Sequence, residues 1–125
     1  MSAQAVKGQK AQPELVVPVN EVRLVGRISQ QPEERLLPSG DTVWTFRVVV
    51  TRSGDRGKSK QVVDSLECAV WSGRVRRSVA AWDVDDVVEV SGAVRRRFFR
   101  AGGAAASRVE VEVTSGRLIR RAATG

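Results

Sequence analysis

From Val16 onward, apolar residues recur at every second position, the period of a strand with one buried face. Val22, Leu24, Gly26 and Ile28 alternate with Arg23, Val25 and Arg27, which predicts a first strand with the first set inward. Pro32 to Asp41 holds two prolines and the run Pro38-Ser39-Gly40-Asp41, and reads as a turn. Thr42 to Thr51 predicts a second strand. Trp44, Phe46, Val48 and Val50 take one of its faces, and Thr45, Arg47 and Val49 the other. Arg52 to Lys60, with two glycines, two serines and alternating charge, reads as a mobile loop. Val62 to Trp71 predicts a third strand, with Leu66, Cys68 and Val70 opposite Ser65, Glu67, Ala69 and Trp71.

The period then changes. Val75, Val79 and Trp82 fall at i, i+4 and i+7, one face of a helix. Ser72 is a candidate N-cap, and Arg74, Arg76 and Arg77 fall on the outer side. Val87 to Phe99 predicts a fourth strand with Val88, Val90 and Val94 inward, interrupted at Gly92 as at a bulge. Gly102-Gly103 marks a hairpin tip. Arg108 to Thr114 predicts a fifth strand with Val109, Val111 and Val113 inward. Three strands, a helix and two further strands is the order of an all-β, five-stranded Greek-key OB barrel with one helix between strands 3 and 4. Residues 1–13, polar and aperiodic, read as a disordered leader, 14–121 as the barrel domain, and 122–125 as a short flexible C-terminus.

Composition narrows the chemistry. The 125 residues suffice for one domain. They include no histidine, which removes the commonest general base and metal ligand. With one cysteine, neither an internal disulfide nor a structural zinc site can form within the chain, and no cofactor is expected. Cys68, in an alternating apolar run, reads as a small buried hydrophobe. Asp83, Asp85 and Asp86 read as solvated loop charge. An enzyme finds no support. No apolar run approaches a membrane span and no secretory signal is visible, so a cytoplasmic protein, associated with the nucleoid, is the expectation.

The net charge of +7 favours a polyanionic partner. Three basic groups stand out: Arg52, Arg56, Lys58 and Lys60 in the loop; Arg95-Arg96-Arg97-Phe98-Phe99-Arg100; and Arg117, Arg120 and Arg121. A basic groove with interleaved aromatics is what sequence-neutral binding of single strands requires. Part of the second group has a structural alternative. A hairpin centred near Gly103–Ala104 would set Arg97 against Glu110 and Arg95 against Glu112 as cross-strand ion pairs. Phosphate contact and sheet pairing both stay open for these two. Trp44 and Trp82 belong to the core by face, and only one of Phe98 and Phe99 can face outward.

From Val19 to Ile119 the chain resembles the bacterial single-stranded DNA-binding protein family. Asn20-Glu21-Val22-Arg23-Leu24-Val25-Gly26-Arg27-Ile28 looks like its first strand, and Phe46-Arg47-Val48 like its second. Pro32-Glu33-Glu34-Arg35 with Pro38-Ser39-Gly40 is similar to the turn between them. Val70-Trp71-Ser72-Gly73 resembles the step from strand three into the helix, and Val88-Glu89-Val90-Ser91-Gly92 the fourth strand. The resemblance implies an OB fold on which bases stack on Trp71 and Phe99. Phosphates would be held by Arg47, Arg52, Arg56, Lys58, Lys60, Arg74, Arg95, Arg96, Arg97 and Arg100. It implies single-stranded DNA as partner, a role in replication, recombination or repair, and a homo-oligomer, tetramer or dimer.

The departures are specific. Two positions that carry stacking tryptophans in the family fall near Gly54 and Ser65. The family's acidic tail, which recruits other proteins, has no counterpart in Arg120-Arg121-Ala122-Ala123-Thr124-Gly125, so such recruitment is not carried over. The pattern is closer to a short paralogue or phage-type member. A protein-interaction or assembly adaptor on the same barrel, and an RNA-binding chaperone, are the alternative functions.

Overall fold

The computed structural model describes residues 15–53, 62–71 and 73–123. Its elements are β1 (Val22–Leu36), β2 (Thr42–Thr51), β3 (Val63–Val70), α1 (Val75–Ala80), β4 (Val87–Ala101) and β5 (Ala104–Arg120). The strands close into a barrel in the order β1-β2-β3-β5-β4. All neighbours are antiparallel except β3 and β5, which pair in parallel at Cys68 with Val111 and Ala69 with Glu112. This is the five-stranded barrel with a helix after β3 that the alternation predicts.

Closure depends on β1, which serves two neighbours. Its first half pairs with β4 from Val22 to Arg27, and its second half with β2 from Arg27 to Leu36. Register shifts between Ile28 and Gln30 and between Gln30 and Glu33 bend the strand where it changes partner. Pro32 lies inside the second shift and is buried. The predicted turn from Pro32 to Asp41 is therefore corrected. A bulge frees Pro32 from the ladder donor it lacks, so the strand runs on to Leu36. The turn proper is closed by Leu37 and Asp41, with Gly40 donating its N–H to the Leu37 carbonyl.

The inward faces of the strands meet in one core. Ile28, Phe46, Val48, Val70, Val88, Val90 and Val113 are fully buried, with Val75, Val79 and Trp82 from the helix segment closing one end. The Trp82 ring meets Phe46 edge to face, with centroids 5.7 Å apart. Trp44 packs half-buried against the same cluster. Both tryptophans thus sit where the face reading put them. The helix is shorter than the apolar stripe suggests. Its N-cap is Arg74, with no side-chain cap bond, and Ser72 lies outside the described residues. None of the described helices is long and apolar enough to cross a membrane.

Gly92 marks a bulge in β4, between Ser91 and Gly92. A side chain there would run into the backbone carbonyl of Glu112 on β5, so close strand approach selects glycine.

Beyond the barrel, β4 and β5 continue as a two-stranded ribbon whose last pair is Ala101 with Ala104. Gly102 and Gly103 form its two-residue turn, both at positive φ, 59° and 84°. The hairpin is thus centred between the glycines, not near Gly103–Ala104. The ribbon also corrects the predicted burial of Val94 and Val109, which are 41% and 49% exposed. The pairing of β4 with β1 ends at Gly92, and β3 meets β5 only at Val111 and Glu112, so among the described residues inward parity on the ribbon no longer means burial. For the same reason Phe98 and Phe99 are both exposed, at 78% and 42%, on opposite faces of the ribbon.

Asp86 corrects the reading of the acidic loop. Asp83 and Asp85 are exposed, but Asp86 is buried. Its carboxylate accepts from the backbone N–H of Asp83 at 2.9 Å and of Ala122 at 2.8 Å, and from Arg121 at 3.1 Å. It ties the segment after the helix to the end of β5. Burial pushes its pKa up, but the two backbone donors and Arg121 outweigh this and hold it below the ordinary value.

Candidate nucleic-acid interface

Strand alternation gathers Arg47 of β2, Glu67 of β3, Arg95 and Arg97 of β4, and Arg108, Glu110 and Glu112 of β5 on one outer face. Arg47 pairs with Glu67 across β2 and β3, and their side chains form an ion pair at 2.6 Å. Across β4 and β5, Arg95 stands opposite Glu110, Arg97 opposite Arg108 and Phe99 opposite Ala106. The side chains lean along the strands, so the ion pairs are diagonal. Arg95 bonds Glu112 at 2.6 Å, and Arg97 bonds Glu110 at 2.9 Å. These are the pairs the sequence offered as an alternative, reached through a register offset from the one assumed.

At the centre of the face, aromatic and charged groups alternate in a row. The Arg97 guanidinium lies over the Trp71 ring, 5.0 Å from its centroid. Arg97 donates to Glu110 and lies 3.8 Å from Glu112. Arg108 approaches the other oxygen of Glu110 at 3.5 Å, and its guanidinium lies 5.5 Å from the Phe99 centroid. The row is therefore Trp71, Arg97, Glu110, Arg108, Phe99. Its middle member is buried, with only 4% of the side chain exposed. Trp71 is half-buried, and its indole N–H is buried with no hydrogen-bond partner among the described residues.

Two depressions flank the row. One, of about 300 Å³, lies between β1, β2, β3 and β5 and is lined by Arg35, Arg47 and Arg108 with Glu33, Glu67 and Glu110. The other, of about 410 Å³, lies beside Trp71 and includes Asp41, Thr42 and Arg76. Arg76 donates to the Thr42 hydroxyl at 2.6 Å and pairs with Glu34 at 3.5 Å. Both depressions combine cationic walls with polar acceptors, and Trp71 adds a stacking surface to the second.

The remaining candidates are dispersed. Arg52, just beyond β2, forms a two-pronged contact with Asp64, which raises its pKa above the ordinary value. Arg74 is exposed at the helix start. Arg96 lies on the opposite face of the ribbon and donates to the Ser107 hydroxyl at 3.1 Å. Arg100 reaches the Gly103 carbonyl near the ribbon tip. Arg56, Lys58 and Lys60 lie outside the described residues. Of the third basic group, Arg117 joins Arg23 around Glu89 on another part of the barrel, and Arg121 is held by Asp86. Arg23, aided by Arg117, keeps the Glu89 carboxyl below its usual value despite some desolvation. Sequence reasoning missed Arg35, Arg76 and Arg108. Arg108 was within reach, because alternation from Glu110 and Glu112 puts it on their face. Among the described residues, no three His, Cys, Asp or Glu side chains are placed to hold a metal ion.

The model of the Single-strand binding protein family matches residues 19–119. The chain belongs to this family. Among its relatives is Single-stranded DNA-binding protein 3 of Listeria innocua, 42% identical over 53 residues, covering 42% of this chain and 33% of that protein. Single-stranded DNA-binding protein 2 of the same organism is 28% identical over 79 residues, covering 63% and 50%. The single-stranded DNA-binding protein of Oceanobacillus iheyensis is 27% identical over 81 residues, covering 65% and 50%. The chain thus spans half or less of the length of these curated relatives. A solved structure described as a Plasmodium falciparum SSB complex with ssDNA shares the fold. Its TM-score is 0.65 at 22% identity, over 84% of this chain and 96% of that one.

Proposed function

We propose that the protein binds single-stranded DNA without reading its sequence, in replication, recombination or repair. The observation that carries this is the row of two partly exposed aromatics and two guanidiniums on one face of the barrel. Every base presents a π-face, so Trp71 and Phe99 serve as sequence-tolerant platforms. Arg47, Arg95, Arg97 and Arg108 surround them and hold the phosphates. Membership of the Single-strand binding protein family, and relatives named for single-stranded DNA binding, support the reading. So does the absence of histidine, which favours a binding protein over a catalyst. The protein acts in the cytoplasm on the nucleoid as a homo-oligomer, in which several linked surfaces raise the avidity of a face with few aromatics.

The test is fluorescence titration with poly(dT) at several salt concentrations, on wild type and Trp71→Ala. Quenching in the wild type with a steep salt slope supports the reading. Wild-type fluorescence and anisotropy that stay flat at low salt would sink it. Equal affinity for poly(U) would turn it toward an RNA chaperone.

A further inference from the structure

We infer that Glu110 is a built-in competitor for the phosphate backbone, so that strand binding on this face is an exchange of ion partners rather than an addition of contacts. The inference rests on the single-strand reading above. Its basis is the position of one carboxylate. Among the described residues, Glu110 is the acid that bridges the two guanidiniums covering the aromatic rings, with one oxygen toward Arg97 at 2.9 Å and the other toward Arg108 at 3.5 Å. A phosphate with two free oxygens has the same bidentate demand for planar donors. The arginines that must meet DNA are therefore already occupied, and each also lies over the ring on which a base would stack.

The geometry makes the exchange one-sided. Glu110 is almost wholly buried and fixed on the β5 ladder, whereas Arg97 and Arg108 are about one-third and one-half exposed. Long arginine side chains can swing outward, but the carboxylate cannot follow. A strand entering between Trp71 and Phe99 takes the guanidiniums onto its phosphates and uncovers the ring faces in the same motion. Glu112 lies 3.8 Å from Arg97 and bonds Arg95, so it takes part less directly. The consequence is weaker and more selective binding than the charge count implies. A surface or peptide carrying single, scattered anions cannot replace Glu110 at both arginines together.

The experiment compares wild type with Glu110→Gln, which keeps the shape and an acceptor oxygen but removes the charge. Affinity for a dT oligonucleotide is measured against salt, and folding is verified by thermal melting. The variant is expected to bind roughly three- to tenfold more tightly at low salt. Its salt slope should steepen by up to about one, since no cation need return to a vacated carboxylate. A folded variant with equal or weaker affinity overturns the inference while wild-type binding upholds the single-strand reading. If wild type itself does not bind, both fall. Should the variant fail to fold, the wild type decides. The Arg97 Nε–H resonance, assigned by its loss in Arg97→Lys, must move on saturation with the oligonucleotide. A resonance that stays in place means Arg97 never leaves Glu110, and the exchange is refuted.

Discussion

The Arg97 guanidinium lies over the Trp71 ring, 5.0 Å from its centroid, while donating through Nε to Glu110. One planar group thus serves an aromatic face and a carboxylate at once, a task a lysine ammonium cannot share in the same geometry. Arg97→Lys should weaken single-strand binding by about 1 kcal/mol, because a lysine meets the phosphate as a point charge and not through a planar fork. Arg96→Lys, on the opposite ribbon face, should change it by less than about 0.5 kcal/mol. Oligonucleotide titrations of the two variants at one salt concentration make the comparison.

Phe98 and Phe99 are neighbours in sequence but not in function. Phe99 sits under Arg108 on the face with Trp71, whereas Phe98 points the other way. Phe99→Ala should cost about 1–3 kcal/mol of binding, the usual worth of one stacked base. Phe98→Ala should leave single-strand affinity nearly unchanged despite its greater exposure. A reversed order in a quantitative binding assay would move the stacking surface to the far side of the ribbon.

Asp86 should be among the most sensitive acidic positions for stability. Its carboxylate holds two backbone donors and Arg121 in a buried setting. Asp86→Ala should cost about 2–4 kcal/mol in urea unfolding, because the donors are left buried without an acceptor. The pH dependence has a definite sign. The folded value lies below the ordinary 3.8, so the unfolded chain binds the proton more readily. The stabilisation is complete above that pH and is lost as pH falls through the folded value. The variant's stability should therefore vary less with pH in the acid range than that of the wild type.

Cys68 should be chemically silent in the folded chain. It is buried, and desolvation, with Glu67 and Glu110 nearby, pushes its thiol up to about 12. At pH 8 the thiolate is negligible. A disulfide reagent should label it only in denaturant, and labelling without denaturant should proceed at the rate of unfolding or local opening.

The barrel is legible in the sequence because period two and a single helical stripe mark its inward residues one by one. Ile28, Phe46, Val48, Val70, Val88, Val90, Val111 and Val113 all land in the core. What alternation cannot convey is whether anything lies behind an inward face. Val94 and Val109 keep the parity of core residues where β4 has lost its β1 neighbour, and both are exposed. Pro32 hides a bulge, since a strand that changes partner has no signature of its own in the period. Asp86 is buried by the backbone of Ala122, 36 positions away. The candidate site was half legible as an arrangement. Trp71 and Phe99 were proposed from the family resemblance, with strand parity in agreement, and Arg95 and Arg97 from the basic run of β4. Glu110 was recognised as a pairing partner but not as the centre of the row, because that role depends on two arginines converging from different strands.

The turn at Gly102 and Gly103 has a consequence for the distant row of rings and guanidiniums. At the barrel, β5 is locked in place by Val111 and Val113. At the tip, a two-residue loop with both φ values positive fixes which residue of β4 meets which of β5. Between these anchors the side chains alternate, so lengthening the loop by one residue and letting the pairing slide would turn one strand of the ribbon over. Arg95, Arg97 and Phe99 would then change places with Arg96, Phe98 and Arg100. Two residues without side chains thus decide which arginines look toward the tryptophan, acting only as a ruler.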